Sequence, residues 1–188
     1  QYFNETSEPK HIHYRVNAGY LPVHHWLHDP LVGGGRIIGE GCHFIDFVVW
    51  LSGSKPLEVS AQALPDRGKY KQDNAEITIR FEDGSLGTVS YLANGNKSFS
   101  KERVEVFCGG KIGVLDDFRS LELVDESRRK VVRSRLGQDK GHRASWQTFL
   151  KAVNTGSEAP IPYEELMAVH KACFAAVESL NIGTPIKL

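Results

Sequence analysis

The fold is decided by the stretch Gly33-Gly-Gly-Arg-Ile-Ile-Gly-Glu-Gly-Cys-His43-Phe-Ile-Asp46, which continues as Phe-Val-Val-Trp50-Leu-Ser-Gly53. Its apolar residues recur at helical spacing, so that one stripe can face a core. The members of this stripe are Ile38, Cys42, Ile45, Val48 and Val49. His43, Asp46 and Trp50 form a second stripe, because residues three and four apart share one face of a helix. Glycines suit both the tight entry and the exit of such a segment. We therefore predict a helix from Gly34 to Ser52, with one apolar side and one polar side.

The order Gly-Gly-Gly, a short gap and Gly-x-His-x-x-Asp resembles the C-terminal domain of the glucose–fructose oxidoreductase/inositol dehydrogenase (Gfo/Idh/MocA-like) family. The pattern in that family runs roughly G-G-G-x-x-x-D-x-G-x-H-x-x-D. Gly33 to Gly35, Gly41, His43 and Asp46 match it, whereas Gly39 takes the place of the first aspartate. The segments 14–22 and 25–30 are similar to a subgroup of fused oxidoreductases from bacterial surface-polysaccharide loci.

The resemblance implies a role for His43 in the substrate site, as the base that takes the hydroxyl proton of an alcohol whose carbon loses a hydride. Asp46 would then orient the imidazole ring. Glu40 lies three residues before His43 and can reach the same ring. Glu40 is not a simple substitute for an aspartate at position 39, because a shift of one residue rotates a helical side chain by about 100°. The alternative is a structural helix histidine that is bonded to Asp46.

Further candidates for substrate contact lie before the helix or at its start. Their side chains are of types that hydrogen-bond to sugars or phosphates or stack on them. They are Arg15, Asn17, Tyr20, His25, Trp26 and Arg36. Arg15 suits a carboxylate or phosphate because its guanidinium is planar and bidentate, and the alternative is an exposed cross-strand charge pair. His24 and His28 have a spacing that metals accept, but without an H-E-x-x-H motif or a cysteine pair we predict no metal site.

Composition excludes several classes of protein. Lysine plus arginine and aspartate plus glutamate both number 23, so no global field favours nucleic acid or an anionic membrane. No apolar run approaches the ~20 residues that span a bilayer. The three cysteines form no C-x-x-C pair, which favours a reducing compartment, and we expect the cytoplasm.

The rest of the chain predicts strands and then helices. Alternating segments begin near residues 11, 57, 75, 86, 103, 113, 121 and 130, and helices are predicted over 145–153 and 163–180. In the first of these helices Trp146, Phe149, Leu150 and Val153 have the spacing of core residues. This order describes an α+β domain with an open antiparallel or mixed sheet covered on one side by helices, and the resemblance implies the glyceraldehyde-3-phosphate-dehydrogenase-like C-terminal fold.

We expect residues 1–188 to form a single substrate-binding and oligomerisation domain. The only methionine is Met167, so we expect further sequence upstream, and no G-x-G-x-x-G follows a predicted strand within residues 1–188. The resemblance implies that a nucleotide-binding Rossmann domain lies upstream. The resemblance implies NAD or NADP as the cofactor and a sugar-like small-molecule substrate. We expect a homo-oligomer formed through the open face of the sheet, since a sheet covered on one side leaves apolar area to cover. Two functions remain open: the substrate half of an NAD(P)-dependent oxidoreductase acting on a sugar, nucleotide sugar or polyol, and a non-catalytic ligand-binding or dimerisation module. Gly39 is the best support for the second.

Overall fold

A nine-stranded open sheet forms the centre of the protein. The computed structural model describes residues 2–3, 6–134 and 137–188. The strand order is β8-β7-β6-β5-β1-β4-β3-β2-β9. The strands are β1 His11–Asn17, β2 Pro56–Ala63, β3 Asn74–Phe81, β4 Leu86–Leu92, β5 Glu102–Cys108, β6 Lys111–Asp116, β7 Ser120–Val124, β8 Arg129–Arg133 and β9 Ile186–Lys187.

The first strand lies in the middle of this sheet. It pairs in parallel with β4, with His11 opposite Leu86, and antiparallel with β5, with His11 opposite Phe107. The other neighbouring strands pair antiparallel. The sheet is therefore mixed, one of the two predicted types, because the β1–β4 pair is parallel and the other pairs are antiparallel. β1 separates β4 and β5, which follow each other in sequence.

The decisive stretch is helical, but it is not one continuous α-helix. A π-helical segment, Ile37–Gly41, precedes helix α1, Cys42–Ser52, and Gly53 closes α1 in the left-handed conformation at φ 67°. π-Helical turns are uncommon and occur frequently at functional sites. The predicted helix is thus confirmed in place, and its first turns are wider than expected.

The sheet carries helices on one face only. Helix α1 packs against β1 and β4, and helix α3, Tyr163–Ile182, packs against β2, β9 and α1. Gly87 of β4 permits close contact with α1, since a Cβ atom there would lie 2.3 Å from Cγ1 of Val48. The residues of the helix-covered face are buried and include Ile12, Tyr14, Ile77, Val89 and Val104.

The other face of the sheet is polar. On β1 it carries His11, His13 and Arg15. The Oγ atom of Ser90 on β4 donates to Oε2 of Glu76 at 2.6 Å and lies 3.0 Å from Nε2 of His13. An α+β sheet covered on one side is therefore confirmed.

Helix α2, His142–Thr155, contradicts one expectation. Its predicted core residues Trp146, Phe149, Leu150 and Val153 are half or more exposed, from 50% to 65%. Only Ala152 of this helix is buried. The apolar spacing correctly predicted an amphipathic helix, but it could not predict which surface covers that face. Among the described residues, no helix combines the length and apolarity needed to cross a membrane.

Candidate functional site

One face of α1 presents ionisable groups to solvent. His43, Asp46 and Trp50 are all exposed, as their shared stripe predicts. The described residues form no hydrogen bond to the imidazole of His43, which leaves the ring open to a ligand. Desolvation raises the pKa of the Asp46 carboxyl, Glu165 of α3 raises it further, and charge on His43 and His170 lowers it. Asp46 thus interacts electrostatically with His43, in keeping with the predicted pair.

Glu40 makes a different set of contacts from the one expected. Its Oε2 atom accepts hydrogen bonds from Nη2 of Arg36 at 2.8 Å and from the hydroxyl of Tyr91 at 2.6 Å. Its Oε1 atom accepts one from Nζ of Lys101 at 3.0 Å. These four residues are called the Glu40 cluster below. The carboxylate is directed toward the sheet, and the expected hydrogen bond to the imidazole of His43 is not formed.

The Glu40 cluster holds the carboxylate ionised. Hydrogen bonds from Arg36, Tyr91 and Lys101 outweigh desolvation and lower the pKa of Glu40 to about 2. Burial and the neighbouring carboxylate raise the pKa of Tyr91, so its hydroxyl remains a donor. A carboxylate with so low a pKa is a weak proton acceptor near neutral pH, which favours a positioning role over proton transfer.

Arg36 is buried and links two segments of the chain by hydrogen bonds. Its side chain is only 4% exposed, and Nη1 donates to the carbonyl oxygen of Gly19 at 2.7 Å. The same atom lies 3.8 Å from Oδ2 of the buried Asp73. Arg36 therefore ties the loop after β1 to the start of the helix, and it is a poor candidate for direct contact with substrate.

The loop that precedes Gly39 contacts it on one side, although the residue remains exposed. A Cβ atom at Gly39 would lie 2.3 Å from Cδ1 of Leu27 and 3.1 Å from the carbonyl oxygen of Gly33. The family aspartate could enter this position only if the Leu27 side chain moved. The packing of Leu27 on the π-helical turn explains why a residue without a side chain occurs here.

Arg15 and Asn17 at the end of β1 hold the connection between β4 and β5. The guanidinium of Arg15 donates to the carbonyl oxygen of Ser100 at 2.6 Å and lies 4.8 Å from the ring centre of Phe99. Nδ2 of Asn17 donates to the carbonyl oxygen of Asn96 at 2.7 Å, whereas its buried Oδ1 atom has no protein partner. Both residues are thus engaged in holding this connection, and the alternative for Arg15, a cross-strand charge pair, is not formed among the described residues.

The loop after β1 carries the remaining predicted contact residues. Trp26 is 60% exposed, which leaves much of its ring accessible, whereas Tyr20 is 43% exposed and its ring is contacted by Lys69 and Tyr70. Nδ1 of His25 accepts the amide of Leu27 at 3.2 Å and so caps the 3₁₀ turn Trp26–His28. His25 is therefore engaged in holding the loop, which is consistent with the predicted single helical turn.

The triple glycine does not form a cradle for a pyrophosphate. The amides of Gly33 and Gly34 donate to the carbonyl oxygen of Asp29, and that of Gly35 donates to the carbonyl oxygen of Leu27, all at 2.9 Å. Helix N-termini bind phosphates through free amides, and these amides are engaged. The described residues also bring together no group of three or more metal-binding side chains.

Sequence reasoning missed part of the site. Tyr91, Lys101 and Asp73 lie outside every motif, and only the placement of Tyr91 on the covered face of β4 signals that its hydroxyl needs a partner. His28 is a metal-ligand candidate by spacing alone, yet the structure buries it, and burial lowers its pKa.

Two solved structures with a similar fold are an oxidoreductase and a dehydrogenase by name. An aldose-aldose oxidoreductase from Caulobacter crescentus, complexed with glycerol, has a TM-score of 0.78 at 15% identity, covering 97% of this chain and 57% of that one. A UDP-N-acetylglucosamine 3-dehydrogenase from Acidithiobacillus ferrooxidans has a TM-score of 0.70 at 16% identity, covering 92% of this chain and 54% of that one. At these identities the likeness shows the fold alone.

The sequence comparison identifies the class of domain to which this fold belongs. The sequence profile of the GFO/IDH/MocA C-terminal domain matches residues 4–110. Inositol 2-dehydrogenase 2 from Paenarthrobacter aurescens (strain TC1) is 28% identical over 159 residues, which are 78% of this chain and 47% of that protein. The chain therefore belongs to the GFO/IDH/MocA family, and it spans about half the length of the curated relative it matches.

Proposed function

We propose that this chain is the substrate-binding part of an NAD(P)-dependent oxidoreductase that acts on a sugar, a nucleotide sugar or a polyol. The observation that carries the proposal is the exposed imidazole of His43, to which no described residue forms a hydrogen bond, at the histidine position of the family pattern. A general base needs access to the proton that it removes, and an exposed imidazole has that access.

The residues of this chain would bind the alcohol and handle its proton. An unprotonated ring nitrogen of His43 accepts the proton of the substrate hydroxyl, and the nearby Asp46 stabilises the imidazolium that forms. Tyr20 and Trp26 supply partly exposed aromatic surfaces on which a sugar ring can stack. The Glu40 cluster fixes the loop and the helix relative to each other.

The cofactor would be held elsewhere. The amides of Gly33, Gly34 and Gly35 are engaged within the loop, so these residues do not fit a dinucleotide pyrophosphate. We therefore assign NAD or NADP to a Rossmann domain outside residues 1–188, with these residues forming a single substrate domain.

Replacement of His43 tests the proposal. In the complete native polypeptide, His43→Asn should lower kcat by roughly 10²- to 10⁴-fold, the usual contribution of a general base, and leave the circular dichroism spectrum unchanged. The matched control is His142→Asn, at the exposed start of α2. An unchanged kcat in the His43 variant would remove this residue from the chemistry.

A non-catalytic ligand-binding module is the second candidate. It is favoured by Gly39, which supplies no carboxylate where the family has an aspartate and against which the Leu27 side chain packs. Steady-state assays of the complete polypeptide across sugars, polyols and nucleotide sugars, with NAD and with NADP, separate the two. Saturable binding of a sugar without any turnover would favour the module.

We also propose that copies associate through the polar face of the sheet, where Ser90 is buried although no helix covers it. Light scattering on the complete polypeptide tests this, and a monomer at all concentrations would contradict it. Cys42, Cys108 and Cys173 are free thiols, and we retain the cytoplasm as the proposed location on that ground.

A further inference from the structure

Three lysines converge on the turn that follows β1. Nζ of Lys69 lies 5.3 Å from the ring centre of Tyr20 and 5.2 Å from that of Tyr70. Lys97 packs over Gly19, where a Cβ atom would lie 3.0 Å from its Cε. The third is Lys101, which pairs with Glu40. Lys69, Lys97 and Lys101 are called the lysine cluster below.

The lysine cluster carries positive charge that the surrounding acids do not cancel. Glu40 is already paired with Arg36 at 2.8 Å, in addition to Lys101. Asp73 is fully buried beside Arg36 and presents no charge to solvent. Lys97 forms no ion pair with any described residue. The exposed ends of the lysines therefore create a local positive field, although the whole chain has no net charge.

This field lies beside the proposed catalytic face. Lys101 contacts Glu40, which precedes His43 by three residues. Arg36 joins the same helix to Gly19, over which Lys97 packs. A ligand that reaches His43 along this rim would place one end of itself against the lysines.

We propose that the lysine cluster binds the anionic group of a sugar derivative, either a phosphate or a carboxylate, while the sugar ring lies near His43. Lysine is a compact, mobile charge with several donors, suited to oxygens whose geometry varies. The exposed Tyr20 offers the ring of such a ligand an adjacent aromatic surface. The inference rests on the proposed function and narrows its substrates from sugars in general to charged sugars.

Ligand binding to the complete native polypeptide tests the inference. Calorimetric titrations would use glucose as the neutral ligand, glucuronate as the carboxylate, and glucose 1-phosphate and UDP-glucose as the phosphates. The variant is Lys97→Ala with Lys101→Ala, and the matched control is Lys130→Ala with Lys151→Ala, two exposed lysines on β8 and α2. Each titration is repeated at low and at raised salt, since contacts between exposed charges are screened.

The expected result is that at least one anionic ligand binds more tightly than glucose and loses about tenfold or more in affinity in the lysine variant. The control variant should stay within about twofold of the native protein. If only the phosphates show this lysine-dependent binding, the anionic group is a phosphate, and if only glucuronate shows it, the group is a carboxylate. If both show it, the cluster accepts either group. The inference would be overturned if glucose bound as tightly as the anionic sugars, or if no anionic sugar bound. It would also be overturned if the lysine variant and the control variant had the same affinity for the anionic ligands.

The two proposals fail differently. Turnover of a neutral polyol that is insensitive to the lysine replacements overturns the inference and leaves the oxidoreductase intact. Lysine-dependent binding of an anionic sugar without turnover, and with no effect of His43→Asn, supports the inference and overturns the catalytic function.

Discussion

Glu40→Gln removes the charge on which Arg36, Tyr91 and Lys101 converge, and its cost can be derived from the structure. The folded protein lowers the pKa of Glu40 from 4.5 to about 2. At 1.36 kcal/mol per pKa unit this shift corresponds to about 3 kcal/mol of stabilisation of the ionised form. The neutral variant also leaves Arg36 buried without its closest counter-charge, which acts in the same direction. We expect a loss of about 3 kcal/mol in the free energy of unfolding near neutral pH, and a fall in Tm of about 6–12 °C.

The pH dependence of that loss identifies its cause. Because the pKa of Glu40 is lower in the folded state, its stabilisation is complete above the unfolded pKa near 4.5 and disappears as pH falls toward about 2. The native protein and the Gln variant should therefore differ by about 3 kcal/mol near pH 7 and converge toward pH 2. Urea unfolding followed by circular dichroism measures the difference, and other carboxylates cancel because both proteins contain them.

Glu58→Gln is the matched control. Glu58 pairs with Arg80 at 3.4 Å on the open side of the sheet, where the Arg80 side chain is 64% exposed. An exposed pair contributes about 0–1 kcal/mol, so this variant should change the free energy of unfolding little at any pH. If the two variants lose equal stability, or if the loss at Glu40 does not depend on pH, the role assigned to the Glu40 cluster is wrong.

The packing of the sheet and of α2 gives two further predictions. Gly87→Ala should lower the free energy of unfolding by about 1–3 kcal/mol, because its new methyl group would overlap Val48. Gly41→Ala should be neutral or stabilise by up to about 1 kcal/mol, because its nearest neighbours lie 3.6 Å from the added Cβ. Urea unfolding measures both variants, and equal losses would contradict the close packing at Gly87. Trp146→Ser with Phe149→Ser should change the stability of residues 1–188 by less than about 0.5 kcal/mol because both rings are exposed, and a loss above about 1.5 kcal/mol would show that they are packed.

Much of the fold could be predicted from local patterns. The alternation in β3, followed by a turn at 82–85 and a second strand-forming run, predicts the hairpin that β3 and β4 form. The apolar stripe of α1 likewise predicts which side meets the sheet. The π-helical turn at Ile37–Gly41 could not be predicted, because it depends on how the preceding loop packs against the helix rather than on spacing within it.

The candidate site was predictable only where its residues share one element. His43 and Asp46 follow from helical spacing, and the structure places both on the exposed side of α1. Lys101 contacts Glu40 across 61 residues of sequence, and no local pattern encodes such a contact. Arg36 has the chemistry of a ligand-binding residue, but its burial and its bond to Gly19 are tertiary features.

The central position of β1 has a consequence for the order in which the protein can fold. β1 is synthesised before β4 and β5, yet it pairs with both, at sequence separations of 75 and 96 residues for His11. Until Glu102–Cys108 has been made, β1 has at most one of its two neighbours, and the edge of the nascent sheet stays open. Contacts between distant residues slow folding, because the chain loses loop entropy before these contacts form. The hairpin β3–β4 requires no such closure, which makes it the natural first template for the sheet, with β1 joining later and uniting the two halves.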